Sequence, residues 1–224
     1  IFDNIRKFVL YLLSGNVSEI LVVFLASLLN WPLPILPLQI LFLNIINDVF
    51  PALALGVGKR GEGVMNQRPR DPQEPVLRSR EWWAIFAYGG LIMIPVLASY
   101  WLVAGMLNES HADAVTASFL TLAFARLWHI FNMRSAESHL IHNEIVNNPY
   151  VWGALVLCSG LLLGAVYAPG LARVLSLSSP GAHTWVVIAT LSIVPLILGQ
   201  TIKMMQNSRR RRSSEAQGRK SPVA

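Results

Sequence analysis

The sequence has almost no cysteine and few charged residues. Cys158 is the only cysteine among 224 residues, which excludes an internal disulfide and a cysteine cluster that binds zinc or iron–sulfur. Charged residues make up 13% of the chain and apolar residues 54%, with a mean hydropathy of +0.49. Because soluble domains carry about 25% charged residues, this composition excludes an ordinary soluble enzyme, a disordered chain and a coiled coil.

Long apolar stretches dominate the chain instead. A membrane-spanning helix needs about 20 mostly apolar residues, and six stretches meet this requirement. They are Phe8–Leu29, Ile35–Val57, Ala84–Met106, Val115–Asn132, Tyr150–Ala168 and His183–Met204. The first stretch lacks the cleavage site of a signal peptide. We therefore predict an all-α integral membrane bundle of six transmembrane helices over residues 1–205, followed by a basic disordered tail at 206–224.

Basic residues are distributed unequally between the connecting loops. If the six spans alternate in direction, 16 of the 18 Lys and Arg fall on one side, and only Arg126 and Arg173 do not. Loops rich in Lys and Arg stay in the cytoplasm, so both termini are predicted to be cytoplasmic. The run Arg209–Arg212 has no aromatic platform beside it, so we expect membrane lipid and no nucleic acid as its partner.

Polar side chains interrupt the first two apolar stretches. Asn16 and Glu19 are three residues apart and share one helix face, and Asn44, Asn47 and Asp48 share another. Polar groups at membrane depth are costly and usually face a bundle interior or an ion path. Two carboxylates and three amides form an all-oxygen set, which suits a hard cation such as Ca²⁺, Mg²⁺, Na⁺ or K⁺. In the alternative interpretation, the polar side chains only join helices through hydrogen bonds. That interpretation explains the amides but not the two acids in the middle of the spans.

Three further residues bear on this predicted site. Pro51 has no N–H to donate to the carbonyl of Asn47, so we expect that carbonyl to be free and the helix to open locally. Arg126 can pair with the two acids inside the bundle, or it can extend to the end of its span, about 9 Å away at ~1.5 Å per residue. The sequence leaves both possibilities open. His129 is expected to be a hydrogen-bonded interfacial side chain rather than a proton relay.

Four segments, taken in order, carry a family resemblance. Residues 14–19 are Ser-Gly-Asn-Val-Ser-Glu, residues 44–52 are Asn-Ile-Ile-Asn-Asp-Val-Phe-Pro-Ala, and residues 65–70 are Met-Asn-Gln-Arg-Pro-Arg. The first resembles Ser-Ser-Asn-Val-Gly-Glu and the second Asn-Leu-Val-Thr-Asp-Gly-Leu-Pro-Ala, on the fifth and sixth membrane helices of P-type cation-transporting ATPases. The group that they resemble best is the sarcoplasmic-reticulum-like calcium pumps and their bacterial relatives. Residues 65–70 resemble that group's Met-x-Arg-Pro-Pro-Arg loop, and residues 129–135 resemble the end of its eighth helix.

The resemblance implies that the six spans are equivalent to the fifth to tenth helices of such a pump. The loop Gly58–Arg80 would help to couple the membrane helices to a phosphorylation domain. The residues implied to bind the transported cation, Ca²⁺ or another hard cation, are Asn16, Glu19, Asn44, Asn47 and Asp48.

Two positions depart from the calcium-pump pattern. Asn47 stands where that group usually has Thr, and its longer side chain changes the size of the cavity. Arg126 aligns with an eighth-helix position where the reticulum pumps have a ligand Glu. An inward guanidinium would repel a cation at ~4 Å by about 4 kcal/mol per unit charge, for an effective dielectric constant of about 20. We therefore expect an inward Arg126 to remove one of two ion sites, leaving one ion per cycle, or a monovalent or proton substrate.

Several motifs of an active pump are absent from the chain. It contains no Asp-Lys-Thr-Gly-Thr phosphorylation motif, no Thr-Gly-Glu-Ser motif and no nucleotide-binding domain. We therefore expect no ATPase activity from this chain alone, and ATP and Mg²⁺ only in a missing N-terminal half with the actuator, phosphorylation and nucleotide domains. Short external loops favour a bacterial plasma membrane. The alternative is a stand-alone six-helix passive channel or accessory subunit without ATPase activity.

Overall fold

A computed structural model shows an all-helical chain. It describes residues 2–58, 75–135 and 143–218, with residues 3 and 209–218 described by their backbone alone. Within these ranges every regular element is a helix, and six helical segments are long and apolar enough to cross a membrane. The predicted fold class is confirmed. The side of the membrane on which the termini lie stays a prediction.

The helices follow the predicted spans with small shifts. The first span is α1, Phe2–Leu28, and the second consists of α2, Pro37–Leu43, and α3, Val49–Val57. A π-helical turn over Asn44–Asp48, called the π turn below, joins α2 to α3. The remaining helices are α4 (Ser79–Trp101), α5 (His111–His129), α6 (Pro149–Tyr167), α7 (Pro169–Val174) and α8 (Ala182–Gly218). A second π-helical turn extends α4 to Met106, and a 3₁₀ turn extends α5 to Met133.

The last helix differs from its prediction. The sequence predicted a disordered tail from residue 206, whereas α8 continues to Gly218. Adding a residue to an existing helix costs little, and the Arg, Glu, Ala and Gln of this segment are good helix formers. The side chains of Arg209–Arg212 lie outside the described residues. The division into a membrane domain over residues 1–205 and a separate tail stays a prediction.

Local capping explains where several helices begin and end. The hydroxyl of Ser110 accepts a hydrogen bond from the backbone N–H of Asp113 at 3.2 Å and caps the start of α5. Asn148 caps α6 by accepting from the N–H of Tyr150 at 3.0 Å. Three residues with positive φ angles near +50° lie just after helical segments, where the chain turns sharply. They are Asn30, Asn108 and Ser176.

The fourth span, α5, occupies the centre of the bundle. In its apolar stretch 83% of the residues are buried, against 22% to 39% in the other five spans. It packs mainly against α8 and α4, while α1 packs against α4 and α3. The α1–α4 contact is close at Gly89, where an added Cβ would lie 2.6 Å from Cγ1 of Val17. A polar side chain on α5 is therefore surrounded by protein rather than lipid.

The beginning of α1 binds both described ends of the α3–α4 connector. Asn4 donates from Nδ2 to the carbonyl of Gly58 at 2.7 Å, and Arg6 donates from Nε to the carbonyl of Val76 at 3.2 Å. Residues 59–74, which include the Met-Asn-Gln-Arg-Pro-Arg motif, lie outside the described residues. Coupling through this loop stays a prediction.

Glu144 connects α1 to the segment between α5 and α6. Its Oε1 accepts from Nζ of Lys7 at 2.8 Å and from both the backbone N–H and the hydroxyl of Ser135 at 2.6 Å. Burial opposes ionisation of this carboxyl group, but the hydrogen bonds outweigh burial and lower the pKa of Glu144 to about 2. Glu144 therefore ties three parts of the chain together as a carboxylate.

Candidate cation site

The five predicted ligands come from two elements that lie side by side. Asn16 and Glu19 are near the middle of α1, while Asn44, Asn47 and Asp48 are in the π turn. Glu19 and Asn47 are buried, and the other three are partly buried. The structure brings four of them to one place, and the side chain of Asn47 contacts α5 instead.

The guanidinium of Arg126 occupies the space between the two acids. Its Nη1 forms an ion pair with Oε1 of Glu19, and its Nη2 forms an ion pair with Oδ1 of Asp48. The same Nη2 lies 3.5 Å from Oδ1 of Asn16. Arg126 is only 1% exposed, so it points into the bundle and does not extend to the end of its span. Of the two possibilities left open by the sequence, the structure shows the inward one.

Asn44 completes the polar surroundings of Glu19. When its amide nitrogen faces Glu19, that nitrogen donates to Oε2 at 3.2 Å, which satisfies both side chains. Buried carboxylates are stable only when they are paired and hydrogen-bonded. With both acids ionised, the two carboxylates and the guanidinium together carry a net charge of −1, and a negative net charge favours binding of a cation.

Pro51 opens its helix as predicted, but the freed carbonyl has a partner. The helix widens into the π turn directly before α3, where the N–H of residue 51 is missing. The carbonyl of Asn47 accepts a hydrogen bond from the hydroxyl of Tyr11 at 3.0 Å. Because an unpaired carbonyl is costly inside a membrane, Tyr11 stabilises the open turn. The expectation that this carbonyl is free is therefore wrong in this conformation.

The side chain of Asn47 joins the π turn to α5. Its Nδ2 donates to the carbonyl of Ala123 at 3.0 Å. Its Oδ1 is buried and has no hydrogen-bond partner within the part of the chain that the structure describes. Buried acceptors are nearly always paired, so this unpaired oxygen is unusual, and the role of Asn47 as a ligand stays a prediction.

His129 lies inside the bundle, against the part of α1 that carries the site. It is fully buried, with Nε2 3.0 Å from the hydroxyl of Ser14 and Nδ1 3.3 Å from Nδ2 of Asn132. Its ring stacks on Tyr11 and meets Tyr88 edge-on, with centroid distances of 6.2 Å and 4.7 Å. The prediction of a satisfied histidine is right, and its placement at the membrane interface stays a prediction. Tyr11 was missed because only the crossing of α1 with α5 and the π turn brings it here.

The donor set matches a hard cation. In the described ranges, His, Cys, Asp and Glu side chains form no group of three or more that could hold a metal ion. A cation at this place would therefore have carboxylate and amide oxygens as its side-chain ligands. Such oxygen ligands are preferred by Ca²⁺ and other hard cations.

Comparison with known proteins gives the family. Residues 32–205 match the model of the family described as cation transporting ATPase, C-terminus. This chain belongs to that family. The matched part of this cation-transporting ATPase segment includes Asn44, Asn47, Asp48 and Arg126, while Asn16 and Glu19 precede it on α1.

Bacterial calcium-transporting ATPases are among the relatives of this cation-transporting ATPase segment. The calcium-transporting ATPase of Bacillus subtilis is 36% identical over 198 residues, which cover 88% of this chain and 22% of the relative. One from Listeria monocytogenes is 36% identical over 208 residues, covering 92% of this chain and 23% of the relative. Calcium-transporting ATPase 1 of Bacillus cereus is 31% identical over 222 residues, which cover 93% of this chain and 25% of the relative. The chain thus spans about a quarter of these relatives' length. It is a multi-pass integral membrane protein of a bacterial membrane.

Proposed function

We propose that this chain is the membrane transport domain of a P-type ATPase and supplies part of the site for ATP-driven cation translocation. Ca²⁺ is the favoured ion, because the relatives are named calcium-transporting ATPases. One observation carries the proposal. Glu19 of α1 and Asp48 of the π turn meet around a single centre in the bundle of a cation-transporting ATPase segment.

Arg126 acts in this proposal as a tethered competitor of the transported cation. While its guanidinium pairs with Glu19 and Asp48, a cation cannot bind both acids. At ~4 Å and an effective dielectric constant of about 20, a guanidinium repels a cation by about 4 kcal/mol per unit charge. Cation entry therefore requires Arg126 to leave at least one carboxylate. We infer a single calcium site at this centre, formed by Asn16, Glu19, Asn44, Asn47 and Asp48.

The energy source lies outside this chain in our proposal. ATP and Mg²⁺ would bind in actuator, phosphorylation and nucleotide domains, which correspond to the part of the relatives that this chain does not match. Phosphorylation there would shift the helices between two access states. The hydrogen bonds from Asn4 and Arg6 to the ends of the α3–α4 connector support a mechanical link from α1 to that loop. Nothing in the structure or the comparisons favours a passive channel.

The experiment is calcium uptake by the protein that contains this chain at its native length. Purified protein in sealed lipid vesicles should accumulate radioactive Ca²⁺ against a gradient when ATP is added outside. Asp48→Asn should reduce uptake at least tenfold, because a neutral amide replaces one of the two carboxylates. Glu109→Gln is the matched control, since Glu109 lies just before the start of α5, whereas Arg126 is in the last turn of that helix, and the Glu109 carboxylate accepts from the hydroxyl of Thr184 at 2.6 Å.

Three outcomes contradict the proposal. Ca²⁺ that equilibrates across the vesicle without ATP would indicate the passive channel. Equal ATP-driven uptake by wild type and Asp48→Asn would show that Asp48 does not bind the transported cation. Equal losses in Asp48→Asn and Glu109→Gln would show a general effect of removing a carboxylate.

A further inference from the structure

The guanidinium of Arg126 fills the space that a side chain at position 15 would need. A Cβ added to Gly15 would lie 2.6 Å from Nε, 2.7 Å from Nη2 and 2.9 Å from Cζ of Arg126. Contacts of a real Cβ below 3.0 Å are essentially never found. All three atoms belong to one planar group, so the arginine lies flat against the backbone of α1 at Gly15.

This contact is unusual among the glycines that the structure describes. Added Cβ atoms at Gly90, Gly160 and Gly164 would meet no atom within 4 Å, and one at Gly89 would meet the apolar side chain of Val17. Only at Gly15 would the Cβ collide with a charged group. Glycine weakens a helix interior relative to alanine, so its place within α1 calls for a packing reason. The guanidinium provides it.

We infer that Gly15 is a specificity-determining residue of the cation site. It has no side chain, and this absence allows Arg126 to reach Glu19 and Asp48 together. The pair of Gly15 and Arg126 thereby sets how many cations the site takes and how tightly. This inference rests on the proposed function, because it assigns a consequence for cation binding to a contact within that site.

A side chain at position 15 would move Arg126 rather than α1. The backbone of α1 is held near Gly15 by two neighbouring helices. The hydroxyl of Ser14 lies 3.0 Å from Nε2 of His129 on α5, and Val17 packs so closely against Gly89 of α4 that a Cβ added there would lie 2.6 Å from its Cγ1. The guanidinium is the far end of a flexible side chain, and its buried Nε has no hydrogen-bond partner among the described residues. Displacement separates it from at least one carboxylate, which then binds a cation without competition.

The experiment compares four proteins of native length by equilibrium binding of radioactive Ca²⁺ without ATP. They are the wild type, Gly15→Ala, Arg126→Gln and the double variant. We expect each single variant to lower the half-saturating Ca²⁺ concentration at least tenfold or to raise the number of ions bound. In the double variant, Gly15→Ala should change binding less than twofold relative to Arg126→Gln alone. Gly90→Ala, placed in open space on α4, should bind like the wild type.

Two results would overturn the inference. The first is Ca²⁺ binding by Gly15→Ala that equals that of the wild type, and the second is a change in binding by the same factor with and without Arg126. If Gly15→Ala alone does not fold, the double variant should recover folding, and a double variant that stays misfolded also overturns it. The proposed function fails separately, when Glu19→Gln and Asp48→Asn leave Ca²⁺ binding unchanged. If Glu19→Gln and Asp48→Asn lose Ca²⁺ binding but Gly15→Ala binds like the wild type, only the role of Gly15 is refuted.

Discussion

The hydroxyl of Tyr11 donates to the main-chain carbonyl of Asn47 across 3.0 Å. This bond joins α1 to the π turn one residue before Asp48. Residue 51 is a proline and has no N–H to donate to this carbonyl. Inside the bundle the carbonyl therefore needs another hydrogen-bond donor. Tyr11 therefore holds open the segment that presents the second acid of the site.

Tyr11→Phe should weaken cation binding while the bundle still folds. The net value of such a hydrogen bond is about 0.5–1.5 kcal/mol, so we expect the half-saturating Ca²⁺ concentration to rise roughly two- to twelvefold. Equilibrium binding of radioactive Ca²⁺ measures this. Tyr88→Phe is the matched control, because Tyr88 packs against His129 by its ring. Equal affinities in wild type and Tyr11→Phe would contradict the role of the hydroxyl.

Gly199→Ala should loosen the contact between α8 and the end of α5. An added Cβ would lie 2.6 Å from Nδ2 and 2.8 Å from Oδ1 of Asn132, whose side chain also binds Pro195 and Gln200. Because this side chain is short and fully engaged, the helices must separate, and overpacking of this kind costs about 1–3 kcal/mol. The unfolding temperature in detergent should fall.

The control for Gly199→Ala is Gly164→Ala in α6, where an added Cβ meets nothing within 4 Å. That variant should keep or slightly raise the unfolding temperature, since alanine is the better helix former. A Gly199→Ala protein as stable as Gly164→Ala would show that the α5–α8 contact has more room than the structure indicates.

Glu144 should give the chain a pH-dependent stability. Its pKa is lowered to about 2 in the folded protein from an ordinary value of 4.5. A carboxyl group with a lowered pKa stabilises the fold fully above its unfolded pKa, and the stabilisation is lost as the pH falls from about 4.5 towards 2. The shift corresponds to at most about 3 kcal/mol.

Glu144→Gln should therefore unfold at a lower temperature than the wild type at neutral pH, and the difference should shrink below about pH 4. Lys7→Met, which removes one donor to the carboxylate, should have a smaller effect of the same sign. The measurement is the unfolding temperature in detergent as a function of pH. Identical pH profiles of Glu144→Gln and wild type would exclude this role.

The spans could be predicted from sequence because lipid requires long apolar segments. The second span was predicted to end at Val57, and α3 ends there. The predicted and observed helix ends differ where a polar capping residue determines the start of the helix. The fourth span was expected to start at Val115, but α5 starts at His111, because Ser110 caps it through Asp113. Apolar content alone does not detect such a cap.

The faces of the site were also predictable, but its contacts were not. Spacings of three and four residues placed Glu19 and Asp48 on polar helix faces, and the structure brings them to one centre. The orientation of Arg126 stayed open, because pairing and extension to the span end are both possible for a long side chain. The roles of Gly15 and Tyr11 could not be predicted, because they depend on how α1 crosses α5 and the π turn.

The central claim is that Glu19 and Asp48 bind the transported cation in place of Arg126. The most direct measurement is equilibrium Ca²⁺ binding, without ATP, by the native-length protein and its Glu19→Gln, Asp48→Asn and Arg126→Gln variants. We predict that each acid variant loses Ca²⁺ binding at least tenfold, whereas Arg126→Gln binds more tightly or binds more ions. Unchanged binding in both acid variants, or weaker binding in Arg126→Gln, would contradict the account.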